Sequence, residues 1–134
     1  MAATHFSGPV VSTGGFTGDI TGDVTGDLTG IAKQGASSTA IVADGALPLT
    51  NLLSLVHADG TAAVTLTLAD GAAGQMKIIK YGDGTGTVDV IVYPANFYEG
   101  FQFTLDAARD VAILVFDGDE WHTIYSDGTI DAAS

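Results

Sequence analysis

The chain has 134 residues, of which 46% are hydrophobic, enough for one cored domain with an appendage. Its formal charge of −12 sets 16 acids against only Lys33, Lys77, Lys80 and Arg109. So few cations cannot neutralise a run of phosphates, which disfavours nucleic acid and anionic membrane surfaces as partners. The absence of cysteine removes disulfides, thiolate catalysis and Cys-ligated zinc.

The chain reads as three zones: an arm over residues 1–30, a transition over 31–60 and a β domain over 61–134. Met1-Ala2-Ala3-Thr4-His5-Phe6 lacks the basic start and apolar core of a signal peptide, so synthesis in the cytoplasm without secretion is expected. From Thr17 to Gly30 the arm repeats Thr-Gly-Asp-apolar with a strict period of four. In an extended strand side chains alternate with a period of two. Ile20, Gly22, Val24, Gly26 and Leu28 then share one thin apolar face, and Asp19, Asp23 and Asp27 share the other with the threonines. Glycine at every fourth position lets another backbone come close. A strand so poor in side chains cannot bury itself, so Ile20, Val24 and Leu28 are expected to be contact residues, with Gly22 and Gly26 allowing the approach. Metal binding by the aspartates is disfavoured, because successive ones in one strand are about 13 Å apart at ~3.3 Å per residue. A flexible linker is the plainer alternative, but it has no reason to keep Ile, Val and Leu in register.

In the transition zone, Leu47-Pro48-Leu49-Thr50-Asn51-Leu52-Leu53-Ser54-Leu55-Val56 is apolar enough to be buried, and a short helix fits nearly as well as a strand. Beyond Thr61 the pattern is β. Strand candidates are residues 63–68, 76–81, 87–93, 101–105, 111–116 and 121–125, spaced as in a sandwich or barrel. Asp-Gly pairs at Asp44, Asp59, Asp70, Asp83, Asp117 and Asp127 punctuate this region and predict tight hairpins.

Chemistry-bearing constellations are sparse. His5, His57 and His122 have no metal-ligand spacing. Residues 83–89 and Asp117-Gly118-Asp119-Glu120 resemble calcium loops only faintly and read better as hairpin turns. Glu120 and His122 would share a strand face, and Arg109 with Asp106 and Asp110 reads as a turn salt-bridge cluster of little worth. There is no GxSxG, P-loop or GxGxxG motif, so no enzyme activity and no cofactor are expected. Tyr93, Phe97 and Tyr98, with Phe101 and Phe103, cluster around Pro94-Ala95-Asn96. They are either a sugar-binding platform or core filling.

Two stretches together resemble a family. The arm is similar to the Gly-Asp/Asn-Val-Thr repeats of trimeric phage fibre and capsid-decoration proteins. The C-terminal half resembles a small β module of tailed-phage virion proteins. It matches at Leu66-Thr67-Leu68-Ala69-Asp70-Gly71, Gly74-Gln75-Met76-Lys77-Ile78-Ile79, Pro94-Ala95-Asn96-Phe97, Phe103-Thr104-Leu105-Asp106 and Val111 to Gly118 followed by Trp121. The resemblance implies an all-β homotrimer on the virion exterior. A short chain with one such module favours decoration of the capsid, with the major capsid protein as partner. The alternative it implies is a tail-fibre module that recognises a bacterial surface glycan.

Overall fold

The computed structural model describes residues 40–82 and 88–131, together with Ser7, Thr13 and Gly14. The chain divides into two units, Met1–Ala32 and Lys33–Ser134. The arm residues Ile20, Gly22, Val24, Gly26 and Leu28, and the turn at Asp83, lie outside the described residues.

The second unit is all-β, with no helix among its described residues. Its strands are β1 (Gly45–Ala46), β2 (Leu53–Val56), β3 (Val64–Leu68), β4 (Met76–Tyr81), β5 (Val90–Pro94), β6 (Gln102–Leu105), β7 (Val111–Phe116), β8 (Trp121–Ser126) and β9 (Thr129–Asp131). The six strands expected from alternation are all present within a few residues. The ambiguous segment after Leu47 becomes strand β2, so the transition zone supplies β1 and β2 to the sheets.

The strands form two open sheets and do not close into a barrel. One has five strands in the order β1-β3-β5-β6-β9, and the other has four in the order β2-β4-β7-β8. From β1 to β5 the chain switches sheet at every strand, so β1 and β3, β3 and β5, and β2 and β4 pair in parallel. This part is a flattened coil. Ile41 begins it, bridging Val56 at the free edge of β2, where its N–H donates to Leu55 O (2.8 Å) and its carbonyl accepts from His57 N (2.8 Å). The remaining pairs, β4–β7, β7–β8, β5–β6 and β6–β9, are antiparallel.

This topology corrects the reading of the Asp-Gly pairs. Among the described residues, only Asp117-Gly118 closes a hairpin, between β7 and β8. There Gly118 takes φ +117°, and Asp117 Oδ1 accepts from Asp119 N (2.8 Å) and Glu120 N (2.9 Å). Asp59-Gly60, Asp70-Gly71 and Asp127-Gly128 carry the chain from one sheet to the other, which needs a wide arch and no mirror-image turn. Gly128 is required for a different reason: a Cβ there would overlap the Thr104 carbonyl.

The facing sides of the sheets share one core. The five-stranded sheet contributes Val64, Leu66, Leu68, Val90, Val92, Phe103 and Leu105. The four-stranded sheet contributes Val56, Ile79, Tyr81, Ala112, Leu114, Phe116 and Trp121. Two of its aromatic side chains keep their polar ends satisfied. Trp121 Nε1 donates to Ala69 O (3.1 Å), and Tyr81 Oη donates to Val88 O (2.8 Å). Asp110 caps the β6–β7 link, accepting from Asp106 N (3.2 Å) and Ala107 N (3.0 Å), so that carboxylate serves the backbone of the turn.

Candidate interaction surfaces

The aromatic residues around Pro94 separate into three environments. Phe97 is buried (9% exposed) with its ring 5.9 Å from that of Phe103, which makes it core. Tyr93 is half-buried, its ring 6.2 Å from Phe101. Tyr98 is 66% exposed and lies 4.8 Å from the His122 ring. The reason is the path of residues 96–99, which run beside the edge strand β8. Trp121 N donates to Asn96 O (2.9 Å), Tyr98 N donates to Trp121 O (3.0 Å), and Thr123 N donates to Glu99 Oε1 (2.8 Å). Phe97 must then point inward, and Tyr98 outward.

At the β7–β8 tip, His122 Nε2 lies 3.0 Å from Asp117 Oδ2, so the histidine meets Asp117 across the turn. Hydrogen bonds from the Glu120 and Asp119 backbone, then from His122, pull the Asp117 carboxyl down to about 2. Among the described residues no three His, Asp or Glu side chains converge as a metal site.

Sequence reasoning missed the amine of Lys77. Its side chain is fully buried on the inner face of β4, where Nζ donates to Pro48 O (2.6 Å) and Asn51 O (2.7 Å). Both partners are neutral carbonyls, and burial lowers the ammonium to about 8. Gln75 Nε2 adds a third tie, to Leu49 O (2.7 Å). Together they clamp the loop before β2 onto β4. The adjoining cleft of ≈ 370 Å³ is lined by Leu49, Thr50, Leu52, Gly74, Gln75 and Met76, none of them ionisable.

The outward faces of the two sheets differ in chemistry. Strand register places Leu53, Ile78, Ile113 and Tyr125 in one row across all four strands of the smaller sheet. Flanking rows hold Leu55, Lys80 and Val111 on one side, and Met76, Val115 and His122 on the other. Met76 (43% exposed), Tyr125 (50%) and the bulge residue Ile124 (58%) are open to solvent. The matching row of the larger sheet is Thr65, Ile91, Thr104 and Thr129, with Thr67, Tyr93, Gln102 and Asp131 around it. A signal for the aliphatic face was present in the sequence. Val111-Ala112-Ile113-Leu114-Val115-Phe116 has no polar residue on either side of the alternation, the pattern of a strand covered on both faces.

Compared with known proteins, the chain matches no family model and no curated protein.

Proposed function

We propose that this chain is a structural virion protein of a tailed bacteriophage, a capsid decoration (cement) protein. In this reading it binds the outside of the head as a homotrimer, at threefold and quasi-threefold points of the major capsid protein, and stabilises the shell. It is not an enzyme and carries no cofactor. The observation that carries the reading is the union of two unlike parts in one short chain. A Thr-Gly-Asp-apolar arm with Ile20, Val24 and Leu28 in register precedes a separate β unit that begins at Lys33.

Each part has a role. The β unit protrudes as the head of the cement protein, while the arm lies along the capsid or adds to its sheet edges, with Gly22 and Gly26 admitting the close approach. A formal charge of −12 per chain suits the capsid exterior and would be repelled by packaged DNA. A ligand that binds only the assembled shell stabilises it by mass action.

The second reading, a tail-fibre module for a bacterial glycan, draws on Tyr98, whose ring is exposed beside His122. Copy number separates the two. Quantitative mass spectrometry of purified virions, referenced to the major capsid protein, should find hundreds of copies per particle. A handful would favour the fibre reading, and none would remove the virion reading. The double substitution Gly22→Val with Gly26→Val should abolish capsid binding while leaving the β unit folded.

A further inference from the structure

The outer face of the four-stranded sheet has no counterpart inside the described unit. Leu53, Leu55, Ile78, Val111, Ile113 and Val115 are half-buried, yet they are not among the residues packed against the core. They sit in register on three adjacent strands, the edge strand β2 and the central β4 and β7, so the face is one continuous aliphatic surface rather than scattered residues.

Charge is distributed in the same sense. The four strands of this sheet, LSLV, MKIIKY, VAILVF and WHTIYS, contain no Asp or Glu, although the chain has 16. Lys77 points inward, so Lys80 is the one fixed charge that these strands turn outward, and it is one of four cations in the chain. Two copies with a formal charge of −12 repel each other through most of their surface. The strands of this face carry no carboxylate of their own. Those at its border, Asp117 and Asp127, are held by His122 and Tyr125. Lys80, whose Nζ also donates to Arg109 O (3.3 Å), is the cation placed to meet them on a neighbouring copy. A lipid surface is a poor alternative because anionic headgroups would repel the rest of the chain.

We infer that the aliphatic face of the β2-β4-β7-β8 sheet is where copies of this chain associate, centred on Ile78 and Ile113. Apolar contact supplies the attraction. The Thr-lined face of the other sheet stays in solvent. This deepens the decoration reading by naming the surface that closes the oligomer, and it rests on that reading for there being more than one copy.

Sedimentation velocity on the full chain tests it, with Ile113→Glu as the variant and Thr104→Glu on the opposite sheet as the control. Circular dichroism and thermal melts of each confirm folding. Wild type and Thr104→Glu are expected to sediment as the same oligomer, and Ile113→Glu as a folded monomer. If Ile113→Glu fails to fold, Ile113→Thr replaces it, with the expectation of an association at least tenfold weaker. An oligomer that survives in the folded Ile113 variant overturns the assignment of the face and leaves the decoration reading standing. A wild-type monomer at every concentration overturns the homotypic interface and the trimer together.

Discussion

The two sheets are built on the same register logic and arrive at opposite chemistry. In the five-stranded sheet the inner face is wholly apolar, and the outer central row is Thr65, Ile91, Thr104 and Thr129. In the four-stranded sheet the inner face admits Ser54 and the amine of Lys77, while the outer row is Leu53, Ile78, Ile113 and Tyr125. The smaller sheet is thus partly inverted: polar groups within, aliphatic groups without. The larger sheet sets a single Ile91 among threonines, whereas the smaller one carries leucine, isoleucine and valine over three adjacent strands, which a face left to solvent has no physical reason to keep. The difference locates where the molecule meets another surface, and it does so without reference to any relative.

The largest effects should come from the shared core, where the sheets ought to be equal. Leu66→Ala and Leu114→Ala, one from each sheet and both fully buried, are each expected to lose about 2–5 kcal/mol in urea unfolding. If one of them were nearly silent, the two sheets would not share a single core.

Next comes the inverted inner face. Lys77 holds its proton less tightly when folded, at about 8 against 10.5, so the unfolded chain binds more protons between those values. Stability should therefore rise as pH increases from about 8 toward 10, by up to about 3 kcal/mol. Tyr81 acts in the opposite sense above pH 10, because burial, aided by Asp59 and Asp89, raises its hydroxyl. Melting temperatures of wild type and Lys77→Met at pH 7.5 and 9.5 check this. A rise of equal size in Lys77→Met would show that the lysine is not its source.

The outer rows give smaller changes. Ile113→Thr should cost the isolated fold within about 1 kcal/mol, as should Thr104→Ala, because neither side chain joins the core. A loss of several kcal/mol at Ile113, measured under conditions where the chain is monomeric, would mean that the face is already covered within one copy. The smallest effect lies at the β7–β8 tip. Asp117 should stay ionised down to about pH 2, and what its turn bonds add to stability should be present above the ordinary carboxylate range and fade only as pH falls toward that value. A carboxyl-detected NMR titration reads this directly, and a midpoint near 4 would remove the turn's hold on the carboxylate.

Much of this fold was legible because period-two alternation survives wherever one face is buried. Val64–Leu68 and Met76–Tyr81 coincide with the segments that the pattern marks to within a residue, and Val111–Phe116 is marked instead by its unbroken apolar run. β1 and β9, of two and three residues, are too short to carry a period. Parallel pairing was hidden for a different reason. Alternation fixes which side a residue faces, not which strand lies beside it, and Asp-Gly serves an arch between sheets as readily as a hairpin. At the site level, Phe97 and Tyr98 look equivalent in sequence. Only the bonding of residues 96–99 along β8 sends one inward and the other out. The contact role of Ile20, Val24 and Leu28 lies outside the described residues.

The coil also sets the order in which the chain can acquire structure. β7 and β8, joined by residues 117–120, and β5 and β6, joined by residues 95–101, can pair as soon as both members exist, but β1 waits for β3, β2 for β4, and β4 for β7 on its other side. Loops that long close slowly. A ribosome releasing the chain from its N-terminus therefore delivers the arm and the parallel strands before their templates. The aliphatic row that joins β2, β4, β7 and β8 comes into being only when Tyr125 has emerged, after every other residue of that row. A nascent chain thus presents no completed face until β8 has followed β2, β4 and β7 out of the ribosome.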